Sequence, residues 1–346
     1  MKNKKKDRFE IFLKKHLNSK DFPSNKKILI TGCSGFIGQY LVKCLAEVFR
    51  EKKLKTYGVD IIGLREKFKN FTFYKRDLYK LNRNNIPKIK YDYIIHLAGI
   101  PSPVYYKKYP LRTIFLNAEL ARELLEISKQ NKSKFIFFSS SEIYGNPFNK
   151  FIPTNENYYG NVSSISDRSC YDESKRMGET YAYIYKNNFN VEVKIIRPFN
   201  FYGEGMRFND ERIIPRFFSQ VLNNKPITVF SNGKQTRTYC HIYDAIVMIC
   251  KIIFKGKKFV YNVGNPNEEI SAANLANKIL KTKKNTLSKS KSIKVSYPKN
   301  YPSDEPMRRC PSIKVFTSEF KFKPKIKLST GLTYFNEYAQ KKFIRS

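Results

Sequence analysis

The stretch KKILITGCSGFIGQYLVKCLAEVFRE, residues 26–51, decides the fold. Its short apolar start predicts a buried β-strand, and helical periodicity from residue 38 onward predicts an α-helix. Between them, Gly32, Gly35 and Gly38 form a GxxGxxG turn. Glycines let the backbone turn tightly and approach a pyrophosphate at the N-terminus of the following helix. The stretch therefore predicts a dinucleotide site, with a turn that serves only packing as the alternative.

Strand-like and helix-like segments alternate through the first 200 residues. Further β-like runs lie at 55–62, 71–75, 92–99, 134–141 and 191–200, and helical periodicity marks 113–130 and 173–187. This alternation predicts an α/β fold with a doubly wound parallel (Rossmann) sheet over residues 26–200. Proline and glycine punctuate the chain afterwards, so we expect a smaller C-terminal lobe at 201–346, with some segments returning to the first domain. Residues 1–25 form a basic N-terminal extension.

Composition excludes several classes of protein. Hydrophobic residues make up 41% and aromatic residues 15% of the 346, which excludes wholesale disorder. The six cysteines form no CxxC pair and no cluster with histidine. We therefore expect no disulfide framework, no metal and a reducing, cytoplasmic setting. No apolar run approaches the ~18–20 residues that span a bilayer, and the basic start lacks the apolar core of a signal peptide.

The net charge of +37 favours polyanionic partners in general. The lysines are nevertheless spread along the chain among asparagines, as at 79–90 and 280–294. This spread is typical of a solvated surface, so we expect no specific nucleic-acid partner. A nucleic-acid-binding protein built on this fold is the alternative from a different class.

A second stretch, SCYDESKRMGE at residues 169–179, contains candidate chemistry. Tyr171 and Lys175 are four residues apart, a spacing that places both side chains on one face of a helix. A phenol with a pKa of about 10 is a poor base until a nearby cation stabilises its anion. The lysine can be that cation. The alternative is a chance pair on an exposed amphipathic helix.

Two acidic residues follow predicted strands near the glycine turn. Asp60 closes the second strand, where a carboxylate accepts hydrogen bonds from adenosine ribose hydroxyls and repels a 2′-phosphate. NAD is therefore favoured over NADP. Asp77 follows the third strand and is a candidate for an adenine contact, with an ordinary strand-end acid as the alternative.

The chain resembles the extended short-chain dehydrogenase/reductase superfamily, in its NAD-dependent nucleotide-sugar epimerase/dehydratase family. Within that family it most resembles UDP-glucuronate decarboxylases. The resemblance extends from about residue 26 to 335 and is carried by seven motifs in order: HLAGIPSPVYY (96–106), SSSEIYGNP (139–147), CYDESKRMGET (170–180), RPFNFYGEGMRFNDERI (197–213), NGKQTRTYCHIYDA (232–245), NVGNPNEEIS (262–271) and DEPMRRCPSI (304–313).

The resemblance implies a set of cofactor and substrate residues. NAD is expected to bind Gly32, Gly35, Phe36, Ile37, Gly38, Asp60, Asp77, Leu78, Leu97, Ala98, Gly99, Asn117, Tyr171 and Lys175. For Asn117 a helix-packing role is the alternative. The nucleotide sugar is expected to bind Asn200, Arg212, Arg237 and Arg309, mainly from the 201–346 lobe.

The resemblance also implies catalytic roles. Tyr171 would be the general base, with Lys175 lowering its pKa and holding the nicotinamide ribose. Ser140 and Ser141 would hydrogen-bond the developing oxyanion. Glu142 would orient a carboxylate or water, as in decarboxylases, or abstract a proton, as in dehydratases; a structural strand-end acid is the alternative. Arg309 would face the sugar carboxylate and assist protonation, unless it is an ordinary surface arginine.

The expected reaction begins with transient oxidation at sugar carbon 4, and decarboxylation of UDP-glucuronate to UDP-xylose is the outcome we favour. A 4,6-dehydratase and a 4-epimerase are the alternatives. We also expect a homodimer that forms through helices flanking the sheet, including the helix of Tyr171.

Three departures from the family pattern weaken the decarboxylase prediction more than the nucleotide-sugar prediction. Gly203-Glu204-Gly205-Met206 stands where the family commonly has GPRM, so an arginine is absent unless Arg207 replaces it. Phe115-Leu116-Asn117 stands where decarboxylases often have LKTN, so a lysine is lost. The loop after Asp60 is shorter than usual. Uncharged sugars are therefore alternative substrates.

Overall fold

A parallel β-sheet with helices on both faces organises the protein, as seen in a computed structural model. The structure describes residues 7–64, 66–79, 85–208, 210–282, 292–296 and 306–343. Residues 1–6 of the extension, and parts of the lysine-rich stretches 79–90 and 280–294, lie outside the described residues.

The strands lie in short segments along the whole chain. They are β1 (Lys27–Thr31), β2 (Lys55–Asp60), β3 (Phe71–Lys75), β4 (Tyr93–His96), β5 (Lys134–Phe138), β6 (Val193–Pro198), β7 (Phe201–Tyr202), β8 (Ile227–Phe230), β9 (Thr236–Thr238), β10 (Cys240–His241), β11 (Val260–Val263), β12 (Glu269–Ser271), β13 (Ile293–Ser296) and β14 (Arg308–Arg309).

The helices connect these strands. They are α1 (Arg8–His16), α2 (Phe36–Lys43), α3 (Pro103–Lys108), α4 (Pro110–Ile114), α5 (Leu120–Asn131), α6 (Ser169–Phe189), α7 (Ile213–Leu222), α8 (Ile242–Lys255), α9 (Ala272–Lys281), α10 (Lys314–Phe320) and α11 (Leu328–Phe343). Two π-helical turns, Cys44–Val48 and Phe115–Glu119, continue α2 and join α4 to α5.

The predicted doubly wound sheet is confirmed. Within the described residues the main sheet has seven strands in the order β11-β6-β5-β4-β1-β2-β3, all parallel. Successive residues of β1 point to opposite faces: Ile28 and Ile30 pack with α2 and α8, whereas Leu29 packs with α5. The carboxyl ends of the strands therefore meet at one edge, where ligands bind in open α/β sheets.

Element boundaries differ from the predictions where the helical pattern is interrupted. The predicted helix 113–130 is divided by the π-helical turn Phe115–Glu119, and the predicted helix 38–51 ends as regular α-helix at Lys43. Strand β11, at Val260–Val263, pairs with β6, so a segment beyond residue 200 completes the sheet. The functional division of the chain near residue 200 stays a prediction.

The part of the chain after residue 200 also builds a second core and a small sheet. Helices α7, α9 and α11 enclose buried aromatic and aliphatic side chains that include Phe217, Leu275 and Phe335. Strand β9 pairs with β12 and β14, and the register places Arg237 directly beside Arg309. This small sheet thus brings together two cations that are far apart in sequence.

The N-terminal extension packs onto the body of the protein through α1. The Phe9 ring is buried and lies 4.8 Å from the Tyr40 ring and 5.1 Å from the Tyr243 ring, centre to centre. Arg8 lies 3.9 Å above the Tyr334 ring of α11. The extension therefore covers α2 and α8 and joins them to α11. Within the described residues, the structure contains no helix with the length and apolar character to cross a membrane.

The packing of α1 predicts that Phe9→Ala lowers the free energy of unfolding by about 3–5 kcal/mol, because a buried aromatic ring leaves a cavity. Ile11→Ala is the matched control, since Ile11 lies on the same helix and is 52% exposed; its effect should stay within about 0.5 kcal/mol. Urea unfolding measures both. Equal stability of the two variants would show that α1 does not pack as described.

Candidate active site

The glycine turn lies where β1 ends and α2 begins. Gly32 has φ +70°, and a Cβ there would come within 2.6 Å of the Ala98 backbone nitrogen. A Cβ at Gly38 would contact the Gly32 carbonyl oxygen and lie 2.7 Å from that of Cys33. Gly32 and Gly38 are therefore required by the packing of the protein itself. The turn lies against Leu97 and Ala98, which follow β4.

Gly35 is less constrained than its two neighbours. It lies at the N-cap of α2 with φ −67°, and a Cβ there would meet only the Gly32 carbonyl oxygen, at 3.2 Å. A Cβ at this position requires the Gly32 carbonyl to shift by a few tenths of an ångström, which is a smaller disturbance than at Gly32 or Gly38. The glycine here is explained better by close approach of a ligand to the backbone than by packing.

Asp60 faces the glycine turn from the end of β2. Its carboxylate accepts hydrogen bonds from the backbone N–H groups of Ser34, at 3.0 Å, and Ile62, at 3.2 Å. Burial raises the pKa of Asp60, although these N–H groups oppose the shift. An acid is thus held beside the turn, where the sequence predicts a ribose contact.

Asp77 already has partners within the protein. Its Oδ1 accepts hydrogen bonds from Arg112 Nη2, at 2.6 Å, and from the Tyr79 backbone N–H, at 3.0 Å. Phe115, where the family has lysine, packs edge-on against Tyr79 at 5.3 Å between ring centres. Leu78 is buried. The contact of Asp77 with adenine stays a prediction.

Tyr171 and Lys175 lie on the buried face of α6, one turn apart. The Lys175 Nζ lies 6.0 Å from the centre of the Tyr171 ring and donates a hydrogen bond to the Phe138 carbonyl at 2.7 Å. Both residues are 5% exposed, so the alternative of an exposed amphipathic pair is wrong. Gly178 lets α6 approach closely, since a Cβ there would lie 2.7 Å from the Asn117 carbonyl oxygen.

The acid–base properties of this pair are set mainly by burial. Burial lowers the pKa of Lys175 to about 7. Burial also raises the pKa of Tyr171 above its ordinary value; a hydrogen bond with Ser140 opposes that shift and the charge of Glu142 adds to it. The Tyr171 ring stacks on Tyr106, with centres 5.3 Å apart. The phenol is therefore protonated at neutral pH until further positive charge reaches it.

Asn117 presents a buried acceptor close to Lys175. Its Nδ2 donates to Ser174 Oγ at 3.0 Å, whereas its Oδ1 has no hydrogen-bond partner within the described part of the chain. A Cβ at Gly99 would lie 2.8 Å from this oxygen and 3.6 Å from the Lys175 Nζ. Buried polar atoms without partners are rare. The space beside Gly99 and Lys175 therefore suits a polar ligand.

Glu142 lies between two arginines just beyond β5. Its Oε1 accepts a hydrogen bond from Arg309 and its Oε2 accepts one from Arg168. Burial alone would raise the pKa of Glu142, but the two guanidinium groups outweigh burial and hold this pKa at about 2. The preceding Ser140 accepts a hydrogen bond from the Glu142 N–H at 3.1 Å, and Ser141 is buried beside it.

Arg309 has unused hydrogen-bonding capacity. It is 2% exposed, so the alternative of a surface arginine is wrong. Its Nη1 bonds Glu142, whereas Nε and Nη2 have no partner among the described residues. Two buried donors on a planar fork match the geometry of a carboxylate or phosphate.

The other predicted substrate residues are distributed around this cluster. Arg237 is buried beside Arg309 and donates to the Thr236 carbonyl at 2.9 Å. Arg212 forms an ion pair with Asp210 through Nε, at 2.9 Å, and its guanidinium lies 5.9 Å from the Phe36 ring centre. Asn200 has φ +39° and donates to the Thr238 carbonyl at 3.1 Å.

Sequence reasoning missed Arg168 and Asp172. The Nε of Arg168 lies 3.5 Å from Asp172 Oδ2, and both residues are buried at the start of α6. Nothing in a single sequence with 66 basic residues distinguishes a buried arginine from a solvated one. The available indication of a functional role is that Arg168 and Asp172 lie close to Tyr171 in the sequence.

Glu204 stands at the proline of the family pattern GPRM, and its side chain is turned into the protein. Its Oε1 accepts a hydrogen bond from Tyr243 at 2.9 Å, and its Oε2 lies 3.2 Å from His241 Nε2. Tyr40 donates to its carbonyl at 2.7 Å. The loop is therefore fixed by internal contacts. Across the described residues, no group of three or more His, Cys, Asp or Glu side chains suits a metal.

The fold and the site together define a dinucleotide-binding enzyme. A Tyr–Lys pair lies at the carboxyl edge of its Rossmann sheet. Residues 28–264 match the sequence model of the NAD dependent epimerase/dehydratase family, and the chain belongs to this family. Its cofactor is NAD, as the sequence predicted.

Curated relatives and a solved structure give the particular resemblance. The chain is 32% identical to UDP-glucuronic acid decarboxylase 6 of Arabidopsis thaliana over 92% of this chain and 90% of that protein. It is 34% identical to UDP-glucuronic acid decarboxylase 5 of the same organism, over 92% and 91%. A UDP-glucuronic acid 4-epimerase from Bacillus cereus, solved with NAD and a fluorinated UDP-glucuronic acid, superposes with a TM-score of 0.76 at 26% identity, over 91% and 99%.

The environment of Gly35 predicts that Gly35→Val abolishes NAD binding while the chain stays folded, because the side chain blocks approach to the backbone. Gly63→Ala is the control, since a Cβ there would lie 3.9 Å from Phe73 in ordinary contact. Calorimetric titration with NAD measures binding, and circular dichroism verifies folding. Unchanged affinity in Gly35→Val would contradict the cofactor assignment.

Proposed function

We propose that the protein is an NAD-dependent nucleotide-sugar decarboxylase that converts UDP-glucuronate to UDP-xylose by transient oxidation at sugar carbon 4. The observation that carries the proposal is the ion pair of the buried Arg309 with the half-buried Glu142, in the same site as Tyr171 and Lys175. The two free donors of Arg309 suit the carboxylate of such a sugar. Relatives that are 32% and 34% identical bear the name UDP-glucuronic acid decarboxylase.

The residues around the glycine turn fit NAD. The uncrowded backbone at Gly35 suits the pyrophosphate, the Asp60 carboxylate suits ribose hydroxyls, and Lys175 with the unpartnered Asn117 oxygen suits the nicotinamide end. The flanking residues proposed to line the cofactor are Gly32, Phe36, Ile37, Gly38, Asp77, Leu78, Leu97, Ala98 and Gly99. Bound NAD supplies a hydride acceptor and donor at carbon 4.

Tyr171 acts as the general base in this proposal. Its phenol takes the proton from the carbon 4 hydroxyl and returns it at the end of the cycle. The pKa of the phenol is raised by burial in the ligand-free protein, so positive charge from the bound cofactor and from Lys175 must bring it down. Ser140 and Ser141 hold the oxygen on carbon 4.

Arg309 binds the sugar carboxylate, and Glu142 serves its orientation. A ketone at carbon 4 is β to a carboxylate on carbon 5, so the bond between carbon 5 and the carboxylate breaks, carbon dioxide leaves and the electrons remain as an enolate. A proton added at carbon 5 and the hydride returned to carbon 4 would then complete the pentose with no net redox change. Arg309 holds the carboxylate through Nε and Nη2. Glu142, with a pKa held at about 2, is a weak base, so we assign it to orientation rather than to proton abstraction.

The nucleotide moiety lies against the remaining cations. Arg237 and Arg212 bind the diphosphate, for which a guanidinium is suited, and Asn200 hydrogen-bonds the diphosphate or sugar. Arg212 gives up part of its ion pair with Asp210 on binding.

A 4,6-dehydratase or 4-epimerase is the second candidate, and the residues at two family positions favour it. Gly205 stands at the arginine of the family pattern, and Phe115, which packs on Tyr79, stands at its lysine, so neither position supplies the expected cation. An uncharged hexose then becomes an acceptable substrate. A non-catalytic nucleic-acid-binding protein is the remaining alternative. Such a protein does not require an acid, here Glu142, beside a Tyr–Lys pair.

We also propose a homodimer in a reducing, cytoplasmic setting. Leu111 of α4 is 73% exposed, and Met177 and Ile184 of α6 are also exposed. Exposed apolar side chains on neighbouring helices suit burial against a second copy. All six cysteines are free thiols, although the sulfur atoms of Cys44 and Cys250 lie 3.6 Å apart.

Product masses test the function directly. The purified protein is incubated with UDP-glucuronate and, separately, with UDP- and GDP-hexoses. Loss of carbon dioxide from UDP-glucuronate supports the proposal, loss of water from a hexose identifies a dehydratase, and unchanged mass with inverted carbon 4 identifies an epimerase. Absence of any conversion refutes the enzyme proposal.

Tyr171→Phe removes the phenolic hydroxyl and keeps the ring, so we expect turnover to fall by roughly 10²–10⁴ with NAD and substrate binding retained. Tyr183→Phe is the control, because Tyr183 lies on the same helix and is 59% exposed. Initial rates and titrations measure both variants. Near-normal turnover of Tyr171→Phe would remove the base from the mechanism.

A further inference from the structure

Arg168 joins the two elements that carry the proposed catalytic groups. Its backbone carbonyl accepts the N–H groups of Tyr171, at 2.9 Å, and Asp172, at 3.0 Å, and so begins helix α6. Its guanidinium reaches across to the carboxylate of Glu142, which follows β5. A single residue therefore connects the base on α6 with the acid beyond β5.

Asp172 balances Arg168 from the other side. Its Oδ2 lies 3.5 Å from Arg168 Nε, and its Oδ1 has no partner within the described residues. The buried cluster thus runs from Asp172 to Arg168, Glu142 and Arg309. Buried charges are tolerated when each has a counter-charge. Arg168 is the member that contacts both carboxylates.

The cluster also determines which nitrogens of the Arg309 guanidinium remain available to a ligand. Because Arg168 occupies Glu142 Oε2, the other oxygen is left to Arg309 Nη1. Nε and Nη2 of Arg309 then have no partner in the part of the chain that the structure describes. Without Arg168 the Glu142 carboxylate is free to rotate and to take both nitrogens of the Arg309 fork, which would remove the donors proposed to hold the sugar carboxylate.

We propose that Arg168 is a positioning residue that holds Glu142 in the orientation that frees Arg309 for an anionic substrate group, and that Asp172 keeps Arg168 in place. The inference rests on the proposed function for the identity of that anionic group. Arg168 touches neither substrate nor cofactor in this account, so its effect on the reaction passes through Glu142.

The test compares Arg168→Met, Asp172→Asn and the combined variant. Burial raises the pKa of Asp172 to about 7 and Arg168 opposes this rise, so Arg168→Met leaves a buried carboxyl group without its partner. This variant should be less stable, and its kcat should fall on the order of 10²-fold, the scale expected of a misplaced catalytic group. The combined variant removes both charges. Its midpoint of urea unfolding should return toward that of the original protein, while its kcat stays low because Glu142 is still unsupported.

Recovery of stability in the combined variant without recovery of kcat distinguishes positioning from a purely structural role. In a purely structural role, the unfolding midpoint and kcat would recover together. NAD affinity should stay unchanged in all three variants, since the cluster lies on the substrate side. Arg122→Met, at an exposed arginine of α5 paired with Glu123, is the control for loss of an arginine. Should Arg168→Met fail to fold, the combined variant provides the same kcat comparison in a chain without an unpaired buried carboxylate.

Recovery of kcat in the combined variant, or a kcat within about threefold of the original in either chain lacking Arg168, would overturn the proposal. If the original protein converts no nucleotide sugar, the proposed function fails separately, and the unfolding midpoints still decide the charge pairing. A combined variant no more stable than Arg168→Met would then overturn the link between Arg168 and Asp172.

Discussion

The ion cluster around Glu142 is the constraint on which the site depends. The Glu142 carboxylate accepts one hydrogen bond from Arg309 and one from Arg168, and removing one partner of a largely buried ion pair is strongly destabilising. The cluster therefore obliges β5, the start of α6 and β14 to converge. A second buried network supports the same convergence: Arg197 bonds Glu179 and Tyr144, and Tyr144 bonds Asn262 of β11 at 2.8 Å.

The burial of Tyr171 and Lys175 changes the pKa of both side chains. Removal from water disfavours both the Tyr171 anion and the Lys175 ammonium, so the pKa of the phenol is raised and that of the amine is lowered to about 7. Neither residue alone makes a strong base in the ligand-free protein. In the proposed mechanism, positive charge from the bound cofactor would favour the phenolate, so proton transfer would require the assembled site.

Local pattern was sufficient for the sheet, the glycine turn and the Tyr171–Lys175 helix, because each depends on residues close in sequence. The π-helical turn at Phe115–Glu119 was not predictable, since its sequence has ordinary helical periodicity. The pairing of Arg237 with Arg309 depends on the register of two strands about 70 residues apart, and the burial of Arg168 depends on distant elements. Glu204 was recognised as a departure, but its contacts with His241 and Tyr243 required the structure.

The central claim is that hydrogen leaves carbon 4 of the sugar and returns to it within one cycle. The direct measurement uses UDP-glucuronate that carries deuterium at carbon 4, incubated with the protein and NAD in ordinary water, with the product analysed by nuclear magnetic resonance. The account predicts a UDP-pentose that retains deuterium at carbon 4. A pentose with ordinary hydrogen at carbon 4 would contradict it.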